Sequence, residues 1–239
     1  MKLTIIGCSP AWPNPGGAQS GYLVEGEGQL LLDCGPGVLA RLREREPWPR
    51  VGAIALTHFH LDHWGDLVPW VFGAAYGAGR DVPVPELWLP PGGTATLRSL
   101  GATLGFGSSL DNAFELREYA DGATFAAAGF EVTPVRLAHY DQLTFGLRVT
   151  DGRATVAYSG DTAPAAGLVE LARDADVFLC EATLLDPEPP DDRGHLTADE
   201  ASEAFAASGA RRLIVIHRPD ELPLDEGIER ARDGLELTL

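Results

Sequence analysis

Apolar residues along this chain fall mostly in short runs cut by glycine and proline, the pattern of strands and turns, and only a few segments repeat them at helical spacing. KLTIIGCSP (2–10), SGYLVEGEG (20–28) and QLLLDCGPG (29–37) read as strands, the last two paired in a hairpin around Glu25 to Gly28. GVLARLRERE (37–46) puts Val38, Leu39 and Leu42 on one helical face, and VGAIALTH (51–58) is a strand that runs into a histidine. From Val68 to Ala120 the pattern is irregular, with a proline-flanked strand in VPVPELWLP (82–90) among glycine-rich and weakly helical stretches. Further strands follow in FEVTPVRLAH (130–139), LTFGLRVTDGRATVAYSGD (143–161), DVFLCEA (176–182) and RRLIVIH (211–217), with an Asp-Gly hairpin signal at Asp151 and Gly152. Helical patterns in GLVELARDA (167–175) and TADEASEAFAASGA (197–210) separate them.

At 239 residues and 45% apolar composition the chain can bury one substantial core, so a single α/β domain over residues 1–239 is expected. It has no repeat of fixed period and no linker, only an acidic, proline-rich loop in DPEPPDD (186–192). The apolar run near Met1 is too short for a signal peptide or a membrane span, which leads us to expect a cytoplasmic protein without membrane partners. A net charge of −17 disfavours long nucleic acids, whose binders carry a basic footprint, but leaves room for a small anion held by a local cation. Cys8, Cys34 and Cys180 are widely spaced in apolar surroundings, as reduced buried thiols would be.

The chemistry concentrates in ALTHFHLDHWGD (55–66), which holds three of the six histidines. His58, His60, Asp62 and His63 within six residues have no packing rationale, because His and Asp form strands poorly and are costly to bury unless paired or coordinated. Other strands also end on residues able to bind metal or move protons: His139, Asp161, Glu181 and His217. Taken singly, His139 or His217 would be an ordinary hydrogen-bonded histidine, and Asp161 or Asp33 a turn former. Together they imply one shared site at strand ends. An extended segment points His58 and His60 to one side, and a bend after them turns Asp62 and His63 toward a second point. Two divalent ions fit this spacing, one on His58, His60, His139 and Asp161, the other on Asp62, His63, His217 and Asp161, with Asp161 as the bridge. Zinc is the expected metal, although the N/O donor set also suits manganese or iron.

THFHLDH, His139, SGDT (159–162) and the IH that ends in His217, with GCSP and LLDCGPG near the N-terminus, together resemble the metallo-β-lactamase superfamily over nearly the whole chain. That resemblance implies an αββα sandwich with a dinuclear metal site at one edge of its two sheets. His60 stands where the oxygen-reducing di-iron members carry a carboxylate, which implies a hydrolase. CEATLL (180–185) and GHLTADEA (194–201) are similar to the phosphodiesterase branch that includes ribonuclease Z, where a glutamate and a histidine form a proton-donating dyad; Glu181 and His195 match it. Thr197 and Glu200 also read simply as a helix capping box, and His195 as a loop residue.

Ribonuclease Z enzymes that trim precursor tRNA usually carry a long arm between the third histidine and the bridging aspartate. Here His139 and Asp161 stand only 22 positions apart. The short form resembles bacterial enzymes that degrade cyclic nucleotides, so the expected substrate is a small phosphodiester such as cyclic AMP. The expected mechanism is in-line attack on phosphorus by metal-activated water, with Asp62 among the catalytic groups, His195 as general acid supported by Glu181, and Asp33 orienting a ligand histidine. A tRNA 3′-processing endonuclease, a lactone, thioester or β-lactam hydrolase on the same site, and a binding protein with a decayed site are the alternatives. Relatives that dimerise through the region after the first motif suggest a homodimer built on Trp64, Trp70, Phe72 and Tyr76, which would otherwise be core. Only 22 residues follow His217, so the C-terminal helix and strand of the family are expected to be abbreviated.

Overall fold

The computed structural model describes residues 1–239, the side chain of Ser108 excepted. Its strands are β1 (Lys2–Gly7), β2 (Gly21–Glu25), β3 (Gln29–Leu32), β4 (Ala53–Ala55), β5 (Glu86–Leu89), β6 (Glu115–Glu118), β7 (Phe125–Ala127), β8 (Phe130–Arg136), β9 (Phe145–Thr150), β10 (Thr155–Tyr158), β11 (Val177–Glu181), β12 (Leu213–Ile216), β13 (Glu229–Arg230) and β14 (Glu236–Thr238). The helices are α1 (Val38–Arg45), α2 (Leu61–Trp64), α3 (Leu67–Tyr76), α4 (Gly93–Leu104), α5 (Gly107–Ala113), α6 (Ala166–Ala172) and α7 (Ala198–Ser208).

Alternation along the strands builds three apolar layers. In β3, Leu30 and Leu32 point into the space between two sheets while Leu31 packs outward against α1 and α3; in β11, Val177 and Leu179 face inward and Phe178 and Cys180 face α6 and α7. Strands buried on both faces therefore read as continuous apolar runs. The first sheet has the order β14-β1-β2-β3-β4-β5-β6 and the second β13-β12-β11-β10-β9-β8-β7. Each is antiparallel in one part and parallel in another: β3 to β6 run parallel in the first, and β10 to β13 in the second. Helices cover both outer faces, which gives the αββα sandwich expected from the sequence.

The stretch without clear order in the sequence contains α3, β5, α4, α5 and β6. Its helices are hard to read because α4 (GTATLRSLGATL) is rich in residues with weak helix propensity, and α3 carries a glycine in mid-helix. That glycine has a packing reason. A Cβ on Gly73 would stand 2.0 Å from the Trp48 ring, which lies against the helix and meets Trp70 edge-on. Of the four aromatics after the histidine cluster, Trp64 and Trp70 are core, whereas Phe72 and Tyr76 are exposed.

The short tail after His217 joins the two sheets rather than forming a helix. β13 pairs with β12, Gly234 N–H bonds Ile5 O at 2.7 Å, and β14 adds to the edge beside β1. Among the described residues, no helix is long and apolar enough to cross a membrane.

Candidate metal centre

Strand ends gather the polar residues. Asp33 follows β3, His58 and His60 lie in the loop after β4, α2 is a single turn carrying Asp62 and His63, and His139 follows β8. Asp161 follows β10, Glu181 ends β11, His217 follows β12, and His195 precedes α7. His60 is extended (φ −70°, ψ 142°), and the turn that starts at Leu61 redirects the chain, so His58 and His60 face one group while Asp62 and His63 face another. Asp33 (φ 58°) and His217 (φ 52°) sit in the left-handed region, which Asp and His enter more readily than most side chains. Both bends hold functional side chains, as strained backbone often does.

His58, His60, His139 and Asp161 form one cluster of facing donor atoms and Asp62, His63, Asp161 and His217 a second; within each, the facing atoms lie within 4.8 Å of one another. Asp161 divides its carboxylate between them. Its Oδ2 is 3.8 Å from both His58 Nε2 and His139 Nε2, while its Oδ1 is 3.2 Å from His63 Nε2 and 3.6 Å from His217 Nε2. In the first cluster His60 Nδ1 faces His139 Nε2 at 2.9 Å, and in the second Asp62 Oδ2 lies 3.0 Å from His217 Nε2.

The far sides of these rings fix which nitrogen faces inward. His63 Nδ1 donates to Asp33 Oδ2 (2.7 Å), His139 Nδ1 to Gly194 O (2.6 Å) and His217 Nδ1 to Thr183 Oγ1 (2.8 Å). His58 Nδ1 meets Thr57 Oγ1 at 3.1 Å, and that hydroxyl donates onward to Asp33 Oδ2 at 2.8 Å. Each of these four imidazoles therefore turns Nε2 inward, the arrangement in which an outer hydrogen bond fixes the tautomer of a ligating histidine. Asp33 is itself fully buried and accepts from Thr57 N–H and the Tyr158 hydroxyl as well.

Several inward atoms have no hydrogen-bond partner among the described residues. His58 Nε2, His63 Nε2 and Asp161 Oδ1 are buried and unpaired; the short His63–Asp161 approach lacks hydrogen-bonding geometry. Each such group costs about 1–3 kcal/mol if left unsatisfied. A divalent cation in each cluster would satisfy them with neutral imidazole and carboxylate ligands. The electrostatics agree. Burial lowers the pKa values of His58, His60 and His139, keeping their lone pairs free at neutral pH. Burial also opposes charge on Asp161, but His217 and His63 outweigh it and hold the carboxylate ionised. On His63 the carboxylates of Asp161, Asp33 and Asp62 overcome burial and raise its pKa, so the site attracts positive charge. The buried clusters are consistent with bound metal ions.

Beside the second cluster, His195 Nδ1 bonds Glu181 Oε1 at 2.8 Å. Burial disfavours the imidazolium, yet the Glu181 carboxylate outweighs it and raises His195 to about 9. Glu181 is fully buried and tied down by the N–H groups of Thr162 (2.9 Å), Thr183 (3.1 Å) and Leu196 (3.3 Å). Thr197 caps α7 in a capping box with Glu200, which fixes the loop carrying His195.

Residues 29–218 match the family model described as the β-lactamase superfamily domain. The chain belongs to the metallo-β-lactamase superfamily. The uncharacterized protein Rv1339 of Mycobacterium tuberculosis is 34% identical over 240 residues, which span 97% of this chain and 86% of that protein. A ribonuclease Z of Mycolicibacterium paratuberculosis is 30% identical over 239 residues, covering 91% of this chain and 85% of its own. The crystal structure of the metallo-β-lactamase fold protein YhfI from Bacillus subtilis superposes with a TM-score of 0.82 at 23% identity and covers 99% of both chains.

Within this superfamily site, sequence reasoning overlooked the residues that hold the donors. Thr57, Tyr158, Thr183 and Gly194 each contact a site side chain, and Gly194 does so through a carbonyl that no residue type reveals. Thr183 alone had a usable signal, since it lies two residues from Glu181 in CEAT, within reach of the same carboxylate at 2.9 Å.

Proposed function

We propose that this metal-dependent hydrolase cleaves small phosphodiesters, with 3′,5′-cyclic nucleotides as the lead substrate class. The observation that carries the reading is the buried Glu181 carboxylate paired at 2.8 Å with His195, whose pKa it raises to about 9, next to the donor clusters. Expulsion of a ribose alkoxide, a poor leaving group, calls for such a proton donor, and the 30% identity to a ribonuclease Z favours phosphorus as the centre attacked.

In this reading His58, His60, His139 and Asp161 hold one cation and Asp62, His63, His217 and Asp161 the other, with zinc the first choice and manganese or iron the alternatives. When bound, such a pair would supply Lewis acidity toward phosphoryl oxygens and lower the pKa of a water to about 7. The chain does the rest. Glu181 occupies His195 Nδ1 and leaves Nε2–H as the transferable proton, which passes to the leaving ribose oxygen as the P–O bond breaks. Asp33 and Thr183 hold His63 and His217 from outside, so their lone pairs stay aimed.

A second reading, tRNA 3′-end processing, is supported by the 30% identity to a ribonuclease Z. Against it stand the net charge of −17 and the span from His139 to Asp161, which β9, β10 and their tight turn fill without an arm. The test is turnover by metal-reconstituted protein at matched salt on 3′,5′- and 2′,3′-cyclic nucleotides, linear dinucleotides, precursor tRNA, nitrocefin and a lactone. Cyclic mononucleotides should be hydrolysed fastest. Site-specific trimming of tRNA at physiological salt, or a clear preference for nitrocefin or the lactone, would overturn the proposal.

A further inference from the structure

Tyr140, next to His139, is held in a way that core packing does not explain. Its φ is 46°, a left-handed conformation that bulky side chains rarely adopt and that persists only where neighbours enforce it. Three contacts enforce it. Its N–H donates to Arg193 O (3.2 Å), its hydroxyl donates to Glu188 Oε1 (2.5 Å), and its ring packs on Gly194, where a Cβ would come within 2.1 Å of it. Glu188 Oε2 in turn accepts from the N–H groups of Gly194 (2.8 Å) and His195 (3.3 Å).

Despite these anchors the residue stays 42% exposed. Its ring centroid lies 4.9 Å from that of His139 and 5.7 Å from that of His195, and it lines a cleft of about 530 Å³ with Ala138, Ala163 and Pro164. An aromatic ring fixed in place beside the reacting groups, with its rotamer freedom already lost, offers a flat apolar surface at little further entropic cost. Asp141, Asp191 and Asp192 line the same cleft, and Arg193, the cation among its lining residues, is already paired with Glu200 (2.8 Å), so the lining would repel a second phosphate.

We infer that Tyr140 is a substrate-stacking platform, and that the substrate is a phosphodiester of single negative charge carrying a nucleobase. The inference rests on the phosphodiesterase reading above and adds the residue that takes the base of that substrate.

The test compares kcat/KM of the metal-loaded protein for adenosine 3′,5′-cyclic phosphate and for the base-free methyl riboside 3′,5′-cyclic phosphate. Tyr140→Asn removes the ring while tolerating the left-handed backbone, and Tyr140→Leu repeats the deletion with an apolar side chain, so a folding defect in one leaves the other to be read. Tyr140→Phe keeps the ring and loses only the bond to Glu188. The ratio of the two kcat/KM values should fall about 5- to 150-fold in the ring-deleted variants, the usual worth of one base stacked on an aromatic side chain, chiefly through KM. Tyr140→Phe should hold the ratio close to that of the parent. An unchanged ratio in the ring-deleted variants, or a Phe variant as impaired as they are, would overturn the inference. Turnover of neither substrate by the unmodified protein would overturn the phosphodiesterase reading and this inference with it.

Discussion

Asp161 is the residue on which both clusters depend, because each of its oxygens faces a different pair of imidazoles. Asp161→Ala should lose at least one metal ion per chain by elemental analysis and bring hydrolysis to background; two retained ions with full turnover would refute the dinuclear assignment. His195 makes a different prediction, since its partner is a carboxylate and its role is proton donation. His195→Ala should leave metal content intact and slow reactions with a ribose leaving group by about 10²- to 10⁴-fold, while bis(p-nitrophenyl) phosphate, whose leaving group departs unprotonated, is largely spared. Glu181→Gln should give a weaker form of the same split. The pH dependence follows from sign. His195 is an acid only while protonated, and its pKa is raised to about 9, so activity on ribose esters should fall as pH rises through that value. In Glu181→Gln this alkaline limb should move to lower pH, and a limb that stayed put would show that the carboxylate does not sustain the imidazolium.

At the scale of elements, the site depends on loops whose backbone is fixed from more than one side. Asp33, at the end of β3, accepts from Thr57 after β4, from Tyr158 at the end of β10 and from His63 in α2, so one carboxylate ties both sheets to the metal cluster. Asp33→Asn keeps the left-handed bend, which Asn tolerates, but replaces an anionic acceptor with an amide. Metal affinity measured by competition with a chelator should drop about 10- to 100-fold, the usual effect of losing an outer partner of a ligating histidine. Unchanged affinity would mean that the bond to His63 is dispensable. Thr183 plays the same part between β11 and β12, with its hydroxyl in contact with both Glu181 and His217.

For the molecule as a whole, the apolar layers do not pass through the clusters, so the sandwich should outlast its metals. Stripping the protein with a chelator should leave far-UV circular dichroism unchanged and lower Tm by about 10–20 °C, the shift expected for a protein of this size when two ligands, each present at ~100 times its Kd, are withdrawn. A Tm unaffected by chelation and by zinc, manganese or iron would argue that these buried imidazoles hold no ion. The net charge of −17 acts at the same scale, as a field that opposes polyanions before any contact forms.

The sequence by itself singled out the residues that the structure gathers into two clusters, and the strands that deliver them. Four potential ligands in six residues conflict with strand propensity and burial, and runs such as VFLCE and LIVI are apolar at every core position because helices cover one face and the second sheet the other. It did not determine α3, α4 and α5, where weak propensity and packing around Trp48 decide the helices, nor the path of the tail across both sheet edges. Only the tertiary structure decided which nitrogen each histidine turns inward, that the Gly194 carbonyl orients His139, and that Tyr140 stands strained and half open beside the dyad. Those facts depend on backbone atoms and contacts between residues far apart in the chain, and residue type carries no record of either.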